Sequence, residues 1–243
     1  MMPFAISVLL ALGGGLPAAG VIPHMVWAER LVRDIKPADN VYGSKPTVLQ
    51  WRGVDGAIET RNRTVCSSFI TRLLKQAYGY GTDDIKRWFG SASPTADLYY
   101  QAISSGNGFK QIASISLVKV GDLIAIDYHR GQSADYESPS QSTGHVMLVA
   151  GQPMRLEGGS EGSLSRYSVL VIDSSRSGHG LLDTRRQANG GWGTGGVGRG
   201  EIGLQADGQG RIHSYSWSNL SRSKVIPQTQ HSLLIGRFCG SEC

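Results

Sequence analysis

The fold of this chain is decided by residues 61–79, which read RNRTVCSSFITRLLKQAYG. From Ser67 onward the apolar residues recur at steps of three and four, which places them on one face of an amphipathic helix. Gly79 stands where that helix should end, because glycine adopts the left-handed cap conformation at little cost. The pattern predicts a helix that begins near Cys66 and buries one face in a core.

Cys66 is expected at or just before the first turn of this helix. Unpaired backbone N–H groups and the positive end of the helix dipole favour a thiolate there. Arg61 and Arg63 lie close upstream and add positive charge. A lone cysteine is nevertheless more often a small buried hydrophobe, so position alone leaves both interpretations open.

The composition is that of a soluble globular protein. The chain has 243 residues, of which 40% are hydrophobic and 18% charged, so a sizeable core can form and extensive disorder is excluded. A net charge of +5 suits contact with anionic polymers such as cell wall, nucleic acid or a membrane surface. The basic residues are scattered, so nucleic acid is not expected as a partner.

The chain opens with an apolar segment. The first 28 residues contain no Asp, Glu, Lys or Arg, and small residues before Val21 suit cleavage there. Residues 1–20 are interpreted as a secretory signal peptide and 21–243 as a single exported domain, periplasmic or secreted. An uncleaved membrane anchor is the alternative; after signal removal no stable membrane span is expected.

The cysteine count bears on the state of Cys66. Three cysteines in an exported chain suggest one disulfide and one free thiol. Cys239 and Cys243 are four residues apart and can pair with each other. Cys66 would then remain free.

Helical patterns precede strand patterns. The predicted helices lie near 26–32, 67–78, 82–88 and 96–103, and a short strand is predicted at 47–51. The later strands are predicted to end at Asp127 and to cover 145–150, 167–173, 201–206, 211–217 and 232–238. Twelve glycines between 178 and 210 indicate that this region is mostly loop. The expected fold class is α+β, with N-terminal helices packed on an antiparallel sheet.

Cys66, His145 and Asp173 occupy distinctive places in this pattern. Cys66 opens a helix, His145 opens a buried strand, and Asp173 ends the neighbouring strand. If these strands pair antiparallel, the start of one lies beside the end of the other. The carboxylate can then orient the imidazole while its other nitrogen faces the thiol, as in thiol acyl transfer.

The chain resembles the NlpC/P60 and CHAP group of papain-like cysteine hydrolases. The resemblance covers about half of the chain and lies in the segments VCSSF from Val65, VGDLI from Val120, GHVMLV from Gly144 and VIDS from Val171. It implies a papain-like fold, a catalytic cysteine at Cys66 with His145 as its base, and cleavage of amide bonds, commonly in peptidoglycan. The chain departs from the group at Val65, usually Asp, at Ser68, usually Gly, and at Asp173, often His, Asn or Gln.

The expected substrate contacts come from the segment upstream of the nucleophile and from its neighbour. Tyr42 and Trp51 are candidate second donors to an oxyanion, beside the Cys66 backbone N–H. Ser67 is expected to contact the substrate. No cofactor or metal is expected, because the sequence contains neither a calcium loop nor a His-Glu-x-x-His motif.

The alternative is a non-catalytic wall- or glycan-binding module on a degenerate hydrolase fold. Trp192, Trp217 and Tyr215 would then form an aromatic platform for sugars. The position of His145 separates the two functions, because an enzyme needs it between Cys66 and Asp173.

Overall fold

A computed structural model of the protein describes residues 21–129, 142–157 and 163–243. The expected signal peptide at 1–20 lies outside the described residues. The helices are α1 (Pro23–Asp34), α2 (Cys66–Tyr78), α3 (Thr82–Phe89) and α4 (Ala96–Ser105). The strands are β1 (Asn40–Tyr42), β2 (Val48–Gln50), β3 (Arg61–Thr64), β4 (Phe109–Gln111), β5 (Leu123–Asp127), β6 (Gly144–Val149), β7 (Met154–Arg155), β8 (Ser165–Ser175), β9 (Gly196–Ala206), β10 (Ile212–Ser216), β11 (Val225–Pro227) and β12 (Ser232–Phe238).

Nine strands form one large antiparallel sheet. Its order is β11-β10-β9-β8-β6-β5-β12-β4, and β7 pairs with β8 beside this path. The longest pairing joins β8 and β9, in which Asp173 lies opposite Gly198. Together with the four helices, this sheet makes the chain a mixed α+β protein, as expected.

A small three-stranded sheet lies between α1 and α2 in the chain. Its order is β1-β3-β2, with β3 parallel to β1 and antiparallel to β2. The Asn40 side chain ties this sheet to β9, because its Nδ2 donates to the Val197 carbonyl at 2.7 Å and its Oδ1 accepts from the Val197 N–H at 2.8 Å. The Ser174 hydroxyl of β8 adds a second tie by donating to the Thr64 carbonyl at 2.7 Å. These bonds fix the segment that leads into α2.

Helix α2 confirms the prediction made from residues 61–79. It begins at Cys66 and ends at Tyr78, and Gly79 adopts the left-handed conformation with φ of 71°. Its apolar face is fully buried at Phe69, Ile70, Leu73 and Leu74. Burial of side chains of this size contributes on the order of 2 kcal/mol each, so the tertiary core holds this helix in place.

Two apolar clusters cover the two faces of the large sheet. Strand β6 shows the division, since Val146 and Leu148 belong to the cluster that contains α2, whereas Met147 and Val149 belong to the other. Neither face of such a strand meets solvent, so the side chains on both faces are apolar. His145 is the exception at its start.

Most of the stretch from 178 to 210 lies outside helices and strands, as expected, but the strand predicted at 201–206 begins five residues earlier. Strand β9 occupies 196–206 and pairs along its whole length with β8. Glycine is generally depleted in strands, so the composition indicated a loop. The predicted hairpin is confirmed, and the predicted 47–51 strand is the shorter β2.

The two C-terminal cysteines are joined in a disulfide, and Cys66 is outside any disulfide.

Candidate active site

Cys66 lies at the junction of the small sheet and α2. It is the first residue of the helix, and Val65 precedes it in an extended conformation. Valine offers no side-chain acceptor, and Ser68 closes the turn instead. Its hydroxyl accepts from the Val65 N–H at 3.0 Å and donates to the Val65 carbonyl at 3.1 Å. The two departures from the hydrolase motif therefore interact with each other, and the first helical N–H groups keep no side-chain cap.

His145 and Asp173 meet at the neighbouring ends of β6 and β8. The strands are antiparallel, with Leu148 opposite Ile172 and Val149 opposite Val171, as the sequence predicted. His145 Nε2 donates to Asp173 Oδ2 at 2.6 Å. Because Nε2 is engaged there, Nδ1 is the nitrogen left for Cys66.

His145 has a perturbed pKa. Burial alone would lower this pKa, but the Cys66 charge, the hydrogen bonds with Asp173 and Cys66, and the Asp173 charge outweigh burial and raise it to about 10. The imidazole is therefore a proton donor at neutral pH. Cys66 and His145 are both only 5% exposed, so water screens their interaction weakly.

Asp173 is held by cations on both of its oxygens. Oδ2 accepts from His179 Nε2 at 3.0 Å in addition to His145, and Oδ1 accepts from Arg185 Nη1 at 2.8 Å. Burial would raise the pKa of Asp173, but Arg185, His179 and His145 hold it well below its usual value. The carboxylate therefore stays ionised in a site without solvent exposure.

Arg185 is in turn fixed by a second buried carboxylate. Asp183 accepts from Arg185 Nε at 2.8 Å and from Nη2 at 2.6 Å, a bidentate pair. Asp183 also accepts the His179 backbone N–H at 2.8 Å. This turn between β8 and β9 is thus folded around one ion pair.

Both ring nitrogens of His179 lie within hydrogen-bond distance of a buried acceptor. Its Nδ1 lies 2.9 Å from the Trp217 carbonyl and its Nε2 faces Asp173, and both partners only accept. Both ring nitrogens of His179 are therefore engaged inside the buried cluster that also contains His145, Asp173 and Arg185.

Glycines in β9 make room for this cluster. A Cβ at Gly198 would overlap the Arg185 side chain, and one at Gly200 would overlap Asp183. Strand β9 therefore presents bare backbone to the buried charges. This close approach accounts for glycine in a well-paired strand.

A cleft of about 550 Å³ opens over Cys66 and His145. Ser67 lines it. Trp217 lines it too and packs edge-on against His145 with ring centroids 4.8 Å apart. Apart from Cys66 and His145, Arg176 is the one ionised side chain among the described residues that line the cleft. The described lining residues are Tyr42, Ser44, Val65, Cys66, Ser67, Thr95, Ala96, Tyr128, Ser142, Thr143, Gly144, His145, Ser175, Arg176, Ser177 and Trp217.

Tyr42 reaches the cleft through the parallel pairing of β1 with β3. In that register Tyr42 lies opposite Thr64, two residues before Cys66. Burial, the Cys66 charge and the Asp173 charge raise the pKa of Tyr42 to about 12, although Arg176 opposes them. The phenol thus keeps its proton, and it makes no hydrogen bond to a described residue.

Trp51, the other candidate donor to an oxyanion, lies in the core and is not among the described residues that line the cleft. It is 3% exposed, its indole N–H donates to the Trp27 carbonyl at 2.9 Å, and its ring packs edge-on against Trp27. Its ring packs in the core, a position that no periodic pattern around Trp51 predicts.

The aromatic platform of the alternative function is also absent from the described residues. Tyr215 is 2% exposed, and Trp217 packs against His145 and His179. Trp192 lines a separate small cavity beside Arg185 and Arg186. The three rings share no surface on which a sugar could stack.

His145, Asp173 and His179 also form a potential metal-ligand set. Both imidazoles are already hydrogen-bonded to Asp173 Oδ2, and Arg185 holds the other oxygen of the same carboxylate. A metal ion would have to replace these bonds beside a buried guanidinium. The geometry favours a hydrogen-bonded charge cluster over a metal centre.

The sequence pointed to Cys66, His145, Asp173, Tyr42 and Ser67, which all line the cleft or contact its residues. It missed His179, Asp183 and Arg185. A signal for them exists, because glycine alternates with other residues from Gly196 to Glu201, which is the two-residue period of a strand with one bare face.

Comparison with known proteins assigns no activity. No family model matches the chain, and no solved structure matches it. The chain is similar to an uncharacterised protein of Acanthamoeba polyphaga mimivirus, with 29% identity over 224 residues that cover 88% of this chain and 96% of the relative. Within the described residues, no helix is long and apolar enough to cross a membrane.

Proposed function

We propose that this protein is a cysteine hydrolase that cleaves amide or peptide bonds through Cys66, His145 and Asp173. One observation carries the proposal: His145 lies between a buried thiol and a buried carboxylate, with Nε2 donating to Asp173 at 2.6 Å. A nucleophile, a proton donor and an orienting group in one cleft are the parts that acyl transfer requires.

The reaction begins with attack of the Cys66 thiolate on the carbonyl carbon. A C–S bond forms, and the carbonyl π electrons move to oxygen, which the Cys66 N–H and the Tyr42 hydroxyl stabilise. The C–N bond then breaks, and the leaving amine takes the proton from His145 Nδ1. Water next gives a proton to His145 and attacks the thioester, which releases the acid and restores the thiolate.

The substrate we propose is peptidoglycan or another amide-containing polymer, acted on after export by a papain-like domain of the NlpC/P60 type. The support is the order of the elements, since α2, β5, β6 and β8 carry the four segments of the resemblance. A net charge of +5 also suits an anionic wall polymer.

Incubation with purified cell wall, followed by mass spectrometry of the released fragments, tests the proposal. The native chain should release fragments with new amine and carboxylate ends, and Cys66→Ala should release none. The double variant Cys239→Ala/Cys243→Ala is the matched control, because it removes two sulfurs away from the cleft. If Cys66→Ala released as many fragments as the native chain, the cysteine mechanism would be wrong.

A further inference from the structure

The active-site cleft continues into a second groove along α2. Four residues line both cavities: Ser44, Val65, Ser67 and Thr95. The second groove has a volume of about 530 Å³ and is lined further on by Thr47, Arg72, Lys75 and Thr82. We call it the basic arm.

Two cations line the basic arm, and neither pairs with a carboxylate of a described residue. Arg72 donates from Nη2 to the Thr47 carbonyl at 3.2 Å, and Lys75 donates to the Thr82 hydroxyl at 3.3 Å. Both partners are neutral, and neither cation forms a salt bridge within the described residues. These bonds hold the side chains over the groove and leave further N–H groups for a ligand.

No carboxylate occurs among the described residues that line either cavity. At the cleft end, Arg176 adds a third cation. It is exposed and lies over the Tyr42 ring at 5.7 Å from the centroid. The continuous groove therefore carries positive charge on both sides of Cys66.

The helix supplies a length scale for this groove. Arg72 and Lys75 follow Cys66 by six and nine residues of α2. At ~1.5 Å of rise per residue they lie roughly 9 and 14 Å along the helix from the nucleophile. An extended peptide advances ~3.3 Å per residue, so these distances correspond to about three and four substrate residues.

We propose that the basic arm is a substrate-binding site for carboxylate-bearing peptide chains, with acidic groups about three to four residues from the scissile bond. The proposal rests on the proposed function for the position of the scissile bond. The new element is that Arg72 and Lys75 determine which substrates bind. The charge of the arm selects the substrate, whereas Cys66 and His145 perform the chemistry.

Binding and cleavage test the proposal separately. Fluorescein-labelled octapeptides with Glu at the third and fourth residues from the central bond are compared with Gln peptides of the same sequence. Anisotropy with Cys66→Ala gives the affinity without turnover. The Glu peptides should bind more tightly, and added salt should remove the difference because the cations are partly exposed.

Matched variants locate the effect. Arg72→Gln/Lys75→Gln should weaken binding of the Glu peptides about fivefold and leave the Gln peptides unchanged. Lys86→Gln/Arg87→Gln on α3 removes the same charge outside the groove and should change neither. Equal weakening by the two double variants, or equal binding of Glu and Gln peptides, would overturn the proposal.

Two further outcomes are decisive. If a single-stranded oligonucleotide binds more tightly than the Glu peptides and loses affinity in Arg72→Gln/Lys75→Gln, the arm serves nucleic acid and the proposal is wrong. If the Glu peptides bind through the arm but no peptide or wall polymer is cleaved by the native chain, the binding site stands and the proposed hydrolase activity fails.

Discussion

Arg185 Nη1 donates to Asp173 Oδ1 at 2.8 Å, so the carboxylate that orients His145 is itself held by a buried cation. Both side chains are almost inaccessible to solvent. The orienting residue of the site therefore depends on the turn between β8 and β9, which lies outside the segments of the hydrolase resemblance.

Replacement of Arg185 should lower the free energy of unfolding. Arg185→Met leaves Asp173 and Asp183 buried without their shared cation, and loss of one partner of a buried ion pair costs about 3–5 kcal/mol. Urea unfolding measures this free energy. Arg199→Met is the control, because Arg199 pairs with Glu29 at a half-exposed site and should change stability by less than about 1 kcal/mol. Equal effects of the two variants would contradict a structural role for the buried cluster.

The raised pKa of His145 predicts a pH dependence of stability. The folded pKa is about 10, above the value of about 6.5 for an unfolded histidine. A group of this kind stabilises the fold fully below the unfolded pKa and loses its contribution as pH rises through the folded pKa. The free energy of unfolding should therefore fall between pH 6.5 and 10 relative to His145→Gln. Cys66→Ala removes the Cys66 charge and should lower the folded pKa of His145, so the pH range over which stability falls should become narrower. An unchanged pH range would contradict the interaction between Cys66 and His145.

Tyr42→Phe should separate transition-state stabilisation from folding. Loss of one oxyanion donor lowers kcat on the order of 100-fold while KM changes little. The melting temperature should remain the same, because the Tyr42 hydroxyl bonds to no described residue. Tyr167→Phe on β8 is the control for loss of a phenol and should retain full kcat. A retained kcat in Tyr42→Phe would assign the second donor elsewhere.

Glycine substitutions probe the bare face of β9. Gly198→Ala places a methyl group into the Arg185 side chain, and overpacking of this kind costs about 1–3 kcal/mol. Gly208→Ala adds the same group where no atom lies within 4 Å, and it should leave stability nearly unchanged. Thermal unfolding compares the two variants. Equal melting temperatures would show that the cluster tolerates a side chain on that face.

The elements with a regular apolar period could be predicted from the sequence. Helix α2 and strands β6 and β12 were placed to within a few residues, because burial imposes the period that the sequence displays. The antiparallel neighbours β6 and β8 then brought His145 beside Asp173. Local pattern and strand direction were sufficient for this part of the site.

The remaining site depended on contacts that no local pattern encodes. Strand β9 is glycine-rich because buried charges approach its backbone, and this reason becomes visible only once Arg185 is placed. The position of Trp51 was missed for a similar reason, since its partner Trp27 lies in α1, far away in the sequence. The parallel pairing that brings Tyr42 beside the nucleophile joins segments that the sequence alone could not pair.

The tie between Asn40 and Val197 spans 157 residues of chain. During synthesis from the N-terminus, Cys66 and His145 leave the ribosome well before Asp173, Arg185 and β9. Until the later segments arrive, His145 lacks the Asp173 carboxylate that orients it, and the small sheet lacks its tie to β9. The small sheet that precedes Cys66 and the buried pair of Asp173 and Arg185 can thus be completed only after β9 has been synthesised.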